Sequence, residues 1–97
     1  MDVLRTASFE RRLLEVADGR ARSRINVAAQ RMREGNFGDS KAVGHGVIET
    51  RIHYGPGYRI YYSYRGAELV LLLLCGDKRT QQRDIARAII LSETLKI

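Results

Sequence analysis

Ile48-Glu49-Thr50-Arg51-Ile52-His53-Tyr54-Gly55-Pro56-Gly57-Tyr58-Arg59-Ile60-Tyr61-Tyr62-Ser63-Tyr64 is the stretch whose reading decides the fold. In an extended chain Ile48, Thr50, Ile52 and Tyr54 fall on one side and Glu49, Arg51 and His53 on the other. Beyond the Gly-Pro-Gly step the alternation resumes, with Tyr58, Ile60, Tyr62 and Tyr64 against Arg59, Tyr61 and Ser63. A period of two interrupted by glycine and proline marks a pair of antiparallel strands. If Gly55, Pro56 and Gly57 form the loop, Tyr54 faces Tyr58, Ile52 faces Ile60 and Thr50 faces Tyr62, which collects apolar side chains on one face. The same register sets His53 beside Arg59 and Arg51 beside Tyr61 on the other. Slipping by one residue would drive Arg51 and Arg59 into the core, where an unpaired charge is very costly.

Downstream, Arg65-Gly66 turns the chain into Leu69–Cys75, apolar on both sides as a covered strand must be. Upstream, Asn36–Gly46 has no period and carries glycines at 38, 44 and 46, so a loop is expected. Before it the period becomes helical. Phe9, Leu13, Val16 and Ala17 line a first helix capped by Ser8 or Thr6, and Asp18-Gly19 ends it and caps the next. Ala21, Ile25, Ala28, Ala29 and Met32 line that second helix, with Arg22, Arg24, Arg31 and Arg33 outward and Gly35 at its end. After Gly76 a last helix is expected, capped by Thr80, with Ile85, Ala88 and Ile89 inward. Ile90, Leu91 and Leu95 widen its apolar surface beyond a lone amphipathic stripe. A short strand over Val3–Arg5 can pair at the sheet edge. The class is α+β: two N-terminal helices packed on a twisted antiparallel β-meander with a C-terminal helix, one domain over residues 1–97.

Composition narrows the function. Seventeen Lys and Arg against eleven Asp and Glu leave +6 on 97 residues, a field that draws polyanions. Apolar content of 44% with 29% charged residues is that of a folded domain rather than a disordered chain. The single cysteine, Cys75, allows no internal disulfide or cysteine-based zinc site, and its apolar neighbours make it a buried small hydrophobe. No apolar segment follows the N-terminal charges and Leu69–Cys75 is too short to span a bilayer, so a reduced cytoplasmic setting without membrane contact is expected.

One sheet face gathers Arg51, His53, Arg59, Tyr61 and Ser63, with Lys78 and Arg79 arriving just after the third strand. Cleavage of RNA by its own 2′-hydroxyl needs three things: a base for that hydroxyl, cations for the crowded phosphate and an acid for the 5′-oxygen. Arginine grips phosphate through two hydrogen bonds, tyrosine offers a base a stacking face, and histidine titrates near neutrality. Spacing alone leaves a second reading, a solvated strand face. Arg59, just beyond the turn, is expected to be exposed, so that Arg59→Ala leaves the fold intact. The outward Arg22 would then serve as an inert control. No carboxylate cluster or histidine pair has metal-ligand spacing, and neither a metal nor another cofactor is expected.

The stretch Gly35-Asn36-Phe37-Gly38-Asp39, Lys41, Gly44-His45-Gly46, Glu49, Arg51, then Gly55–Tyr61, Gly76-Asp77-Lys78, Thr80-Gln81, Arg83-Asp84-Ile85 and Ala88 resembles the RelE/ParE superfamily. The resemblance is closest to its addiction-module killer branch, related to HigB. It implies two N-terminal helices on a twisted antiparallel sheet. It also implies a type II toxin that cuts mRNA in the ribosomal A site and is silenced by a cognate antitoxin, acidic and of helix-turn-helix type, with DNA reached only through the toxin–antitoxin complex. Carried over motif by motif, catalytic roles fall on Arg59, on Lys78 and Arg79 and, more loosely, on Arg51; RNA-binding roles are expected for His53, Tyr61, Lys41 and Arg83. RelE members carry a catalytic tyrosine early in the last helix where this chain has about Ile85, so Tyr61 or His53 would substitute. The branch has a small hydroxyl residue where Arg79 stands and a tryptophan where Arg12 stands. ParE members of the same fold poison DNA gyrase, and a non-toxic RNA-binding module is the third possibility.

Overall fold

The helical hairpin forms where the 3.6-residue period places it. Thr6 caps the first helix, its hydroxyl accepting from the amide of Phe9 at 3.1 Å, and Asp18 caps the second by accepting from the amides of Arg20 and Ala21. The computed structural model describes residues 1–97 as β1 (Asp2–Arg5), α1 (Ala7–Glu15), α2 (Gly19–Met32), β2 (Asp39–Gly44), β3 (Val47–Ile52), β4 (Tyr58–Arg65), β5 (Leu69–Asp77), a 3-10 turn (Lys78–Thr80) and α3 (Gln81–Thr94). The strands make one sheet in the order β1-β5-β4-β3-β2. β2 to β5 form an antiparallel meander, and β1 adds to β5 in parallel, with Val3 opposite Val70 and Arg5 opposite Leu72. The class is α+β as expected and consistent with a RelE-like arrangement, the expected short N-terminal strand making the sheet mixed.

Helices cover both faces. Phe9, Leu13, Ala21, Ile25 and Met32 pack on Tyr58, Ile60, Tyr62, Val70, Leu72 and Cys75. On the reverse face Val47, Tyr61, Leu71, Leu73 and Leu74 meet Ala88 of α3, with Ile85, Ile89, Leu91 and Leu95 beside it. The surplus apolar width of α3 is thus largely spent inside the molecule: Leu91 and Leu95 pack against the sheet and Ile90 remains exposed. β5 is apolar on both sides because both sides are covered. Its ladder with β4 shifts between Tyr61–Leu74 and Tyr62–Leu72, and the bulge at Leu73 turns Leu73 and Leu74 together toward α3.

Three expectations are corrected. The β3–β4 register is offset by two residues, with Ile52 opposite Tyr58, Arg51 opposite Arg59, Thr50 opposite Ile60 and Ile48 opposite Tyr62. An even offset keeps every side chain on its expected face. The ladder opens early because Tyr54 leaves it: its hydroxyl donates to Asp18 at 2.9 Å, tying the hairpin tip to the start of α2, while its ring stacks on Tyr58. Next, Asn36–Gly46 is not all loop, since Asp39–Gly44 forms edge strand β2. Nearly every residue of β2 is exposed, so no alternation could betray it. Its turn back, Gly44-His45-Gly46, has φ of 111°, 54° and 78°, a left-handed run that glycine allows. Finally, Arg22 is not inert: its guanidinium donates to the carbonyl of Ala17 at 3.1 Å and to that of Val16, closing the C-terminal end of α1.

The edge of β5 beyond β1 is held by side chains. β1 ends opposite Leu72, leaving the later carbonyls of β5 without a strand. The Thr6 hydroxyl donates to Leu73 O at 3.0 Å, and Arg12 Nη1 donates to Cys75 O at 3.2 Å. Arg12 also reaches the buried carboxylate of Asp84 at 3.0 Å, so α1 and α3, on opposite faces of the sheet, meet around its edge. The Thr80 hydroxyl donates to Asp84 at 2.6 Å instead of capping α3, and Asp77 caps the 3-10 turn through the amide of Arg79. Gly76 makes the approach possible: a Cβ there would lie 2.1 Å from Asp84 Oδ2. Gly76→Ala is therefore expected to destabilise by about 3 kcal/mol or more, combining overpacking with a broken buried ion pair. In urea titrations of Gly76→Ala, Asp84→Ala and the double variant, the double should cost clearly less than the sum.

Candidate functional site

At the end of the sheet where β3 runs into the 53–57 loop and β5 gives way to the 3-10 turn, a cleft of about 410 Å³ opens. Arg51, His53, Tyr54, Tyr58, Arg59 and Lys78 line it and no carboxylate does. Arg51 and Arg59 are ladder partners and so project on the same face of neighbouring strands, and Lys78 enters from the turn after β5. Four of the eight sequence-predicted residues, Arg51, Arg59, Lys78 and His53, thus come together.

The other four do not. Arg79 and Arg83 line a separate cleft of about 520 Å³ between α1 and the start of α3, shared with Glu15, Asp18 and Asp77, and Tyr58 divides it from the first. Arg79 is clasped to Asp77 at 2.7 Å, which holds the Asp77 carboxyl below its usual range. Lys41 is exposed on β2, opposite Glu49 and outside both clefts. Tyr61 is enclosed under α3, so its ring offers no open face for stacking. Its hydroxyl has no hydrogen-bond partner, and burial beside Glu49 pushes its pKa far above the ordinary phenol value.

Arg59 differs most from expectation. It is 7% exposed, because α3 lies over the face that its parity assigns to it. What makes that burial tolerable is Glu49, itself 0% exposed, whose Oε2 lies 3.5 Å from Arg59 Nε. Gln81 at the start of α3 donates to the same Oε2 at 3.0 Å, and Arg51 Nε stands 4.0 Å from Oε1. Arg59 Nη1 donates to Gly57 O at 2.8 Å, fixing the guanidinium under the hairpin tip. Glu49 Oε1, Arg51 Nε, Arg59 Nε and the Tyr61 hydroxyl are all buried without a hydrogen bond, a concentration of unspent polar capacity in one place.

Arg51 is half-buried between two acids, Glu49 and Asp39, the latter also at 4.0 Å. Asp39 accepts from His53 Nε2 at 2.7 Å, and that bond holds the Asp39 carboxyl below its usual range. His53 itself is 73% exposed at the mouth of the cleft. Sequence reasoning missed Glu49, Asp39 and Gln81 as parts of the site. Only the alternation of Glu49 with Arg51 carried a signal, whereas Asp39 sat in a segment read as loop. No three His, Cys, Asp or Glu side chains are grouped so that they could hold a metal ion. Cys75 is buried, which pushes its thiol up to about 12, so it should resist iodoacetamide at pH 8 until the protein unfolds.

Residues 14–94 match the family described as phage-derived Gp49-like proteins (DUF891), and the chain belongs to that family. It is a toxin-like family of the addiction-module killer kind. The chain is also 42% identical over 90 residues to an uncharacterized protein of Haemophilus influenzae strain Rd, covering 93% of this chain and 91% of that one. No helix of the chain is long and apolar enough to cross a membrane.

Arg59→Ala therefore should not leave the fold untouched. It strands the carboxylate of Glu49 in the interior, and a loss of about 3–5 kcal/mol is expected in urea denaturation. Pairing it with Glu49→Gln should restore part of that loss.

Proposed function

We propose that the chain is a RelE/ParE-type toxin of a type II toxin–antitoxin pair, nearest the HigB-related branch, and that it cleaves mRNA on the ribosome without a metal. The observation that carries this reading is the cleft itself: Arg51, Arg59 and Lys78 converge on one space whose lining has no acid. Such a space suits the dianionic phosphorane of an RNA transesterification. The 2′-oxygen attacks the adjacent phosphorus, the bond to the 5′-oxygen breaks, and the products are a 2′,3′-cyclic phosphate and a 5′-hydroxyl. Arg59 and Arg51 stabilise the phosphorane, Arg59 from a fixed position and Arg51 from the cleft wall.

His53 is the side chain best placed to move the proton. Its Nε2 is engaged by Asp39, which leaves Nδ1 as the free acceptor of the neutral ring. Tyr61 is enclosed and its hydroxyl holds its proton too tightly, and Ile85 packs against the second core cluster. As the bond to phosphorus breaks, the leaving 5′-oxygen takes a proton from the ammonium of Lys78, an exposed residue lining the same cleft. The cognate antitoxin would be acidic, matching the net charge of +6.

Induction of the protein alone should stop growth, and mapping of mRNA ends should find new 5′-hydroxyl termini. Lys78→Ala and His53→Gln, both at exposed positions, should keep the melting temperature and lower cleavage by about two to three orders of magnitude. A DNA-damage response with intact mRNA would replace this reading with a gyrase poison.

A further inference from the structure

Behind Arg51 and His53 lies another concavity, about 310 Å³, between α2 and the edge of β3. Its walls carry Arg24 and Arg31 from α2 and Arg51 and His53 from the β3 side, again with no carboxylate. Its floor is apolar, made by Val27, Ala28, Phe37 and Ile52. Arg24, Val27, Ala28 and Arg31 follow one another at i, i+3, i+4 and i+7, a stripe of α2 next to the one that packs on the sheet. Val27 stays 46% exposed within it. A lone exposed valine would mean nothing, but here it extends a concave apolar floor ringed by cations.

We infer that this concavity is a nucleotide subsite, holding the base next to the phosphate in the central cleft. The inference rests on the RNA reading of that cleft. A flat base needs an apolar surface under its ring and cations for the phosphates on either side, and this site supplies both. The two spaces are continuous, because Arg51 and His53 line each of them. Arg24 stands at their junction, its guanidinium 4.6 Å from the centre of the Tyr54 ring, and Tyr54 lines the central cleft. A strand bound at its phosphate by Arg51 therefore passes into a second space whose lining, like that of the first, carries no acidic side chain. This continuity favours RNA over an acidic peptide, which the charge alone would also admit.

The test uses the full chain and an uncleavable 2′-O-methyl hexaribonucleotide, followed by fluorescence anisotropy, with an abasic residue placed at each position in turn. One abasic position should weaken binding to the wild type about tenfold. Val27→Asp, at an exposed position, should weaken the intact oligonucleotide by a similar factor and abolish the abasic penalty. Arg20→Gln changes the net charge by the same amount outside all these clefts and should keep that penalty. The subsite is overturned if no abasic position matters, if Val27→Asp retains the penalty, or if its loss only equals that of Arg20→Gln. It is overturned in favour of a protein partner if Val27→Asp spares RNA and weakens an acidic antitoxin peptide. The nuclease reading fails separately, by intact mRNA during growth arrest of the wild type, a result that does not involve Val27.

Discussion

Two carboxylates with almost no exposed surface, Glu49 and Asp84, fasten α3 to the sheet, and the rest of the molecule is arranged around satisfying them. Glu49 points up from β3 and takes Gln81 from α3, while Asp84 points down from α3 and takes Arg12 from α1. Neither could be buried alone, since an unpaired carboxylate in the interior costs several kcal/mol even after relaxation. Each therefore demands a cation, and the cations come from elsewhere in the chain: Arg59 and Arg51 for one, Arg12 for the other. The glycine at 76 follows from the same demand, because Asp84 occupies the space where its side chain would stand. A hydrophobic replacement of similar shape could have held α3 as firmly. What the acids add is that they fix where guanidiniums point.

That placement sets how charge is spent across the surface. An excess of +6 spread evenly would only keep the protein soluble and steer polyanions weakly. Here the acids segregate. Asp18, Glu15 and Asp77 line the cleft between α1 and α3, which leaves it mixed in sign, whereas the clefts on either side of Arg51 and His53 have none. Glu49 is buried beneath the arginines, and Asp39, half exposed on the edge strand, touches Arg51 and His53 without lining either cleft. An anion entering there meets donors already held in place, so little ordering entropy is lost when it binds.

Parity and period were readable in the residues, and they carried most of the architecture. The alternation from Ile48 to Tyr64 put every side chain on its correct face, the doubly apolar run from Leu69 to Cys75 announced a covered strand, and Asp18 and Thr6 announced their helices. Failures arose where a side chain had a distant partner. Tyr54 left the ladder for Asp18, 36 residues away, and moved the register by two. β2 was hidden because an edge strand with both faces wet has no pattern to show. The burial of Arg59 was invisible because the face it shares with Glu49 reads as polar, and only the arrival of α3 makes it an interior. Arg59 and Glu49 are ten residues apart on neighbouring strands, and their pairing depends on the register that local reasoning misplaced.

A buried arginine is a poor surface contact but a well-suited phosphate donor, and this reconciles the burial of Arg59 with the role proposed for it. An exposed guanidinium on four rotatable bonds loses its side-chain entropy each time it grips an anion. Arg59 has lost that entropy on folding, held by Glu49 on one side and by the Gly57 carbonyl on the other. Its remaining capacity faces the cleft that it lines. The cost is that stability and activity become inseparable at this residue, so its substitution cannot by itself distinguish a catalytic arginine from a structural one. Lys78 and His53 carry little of this burden, being exposed, with His53 reaching the buried network only through Asp39. The chemistry of the cleft is therefore best judged through these two residues, and through Glu49 only by way of the arginines it positions.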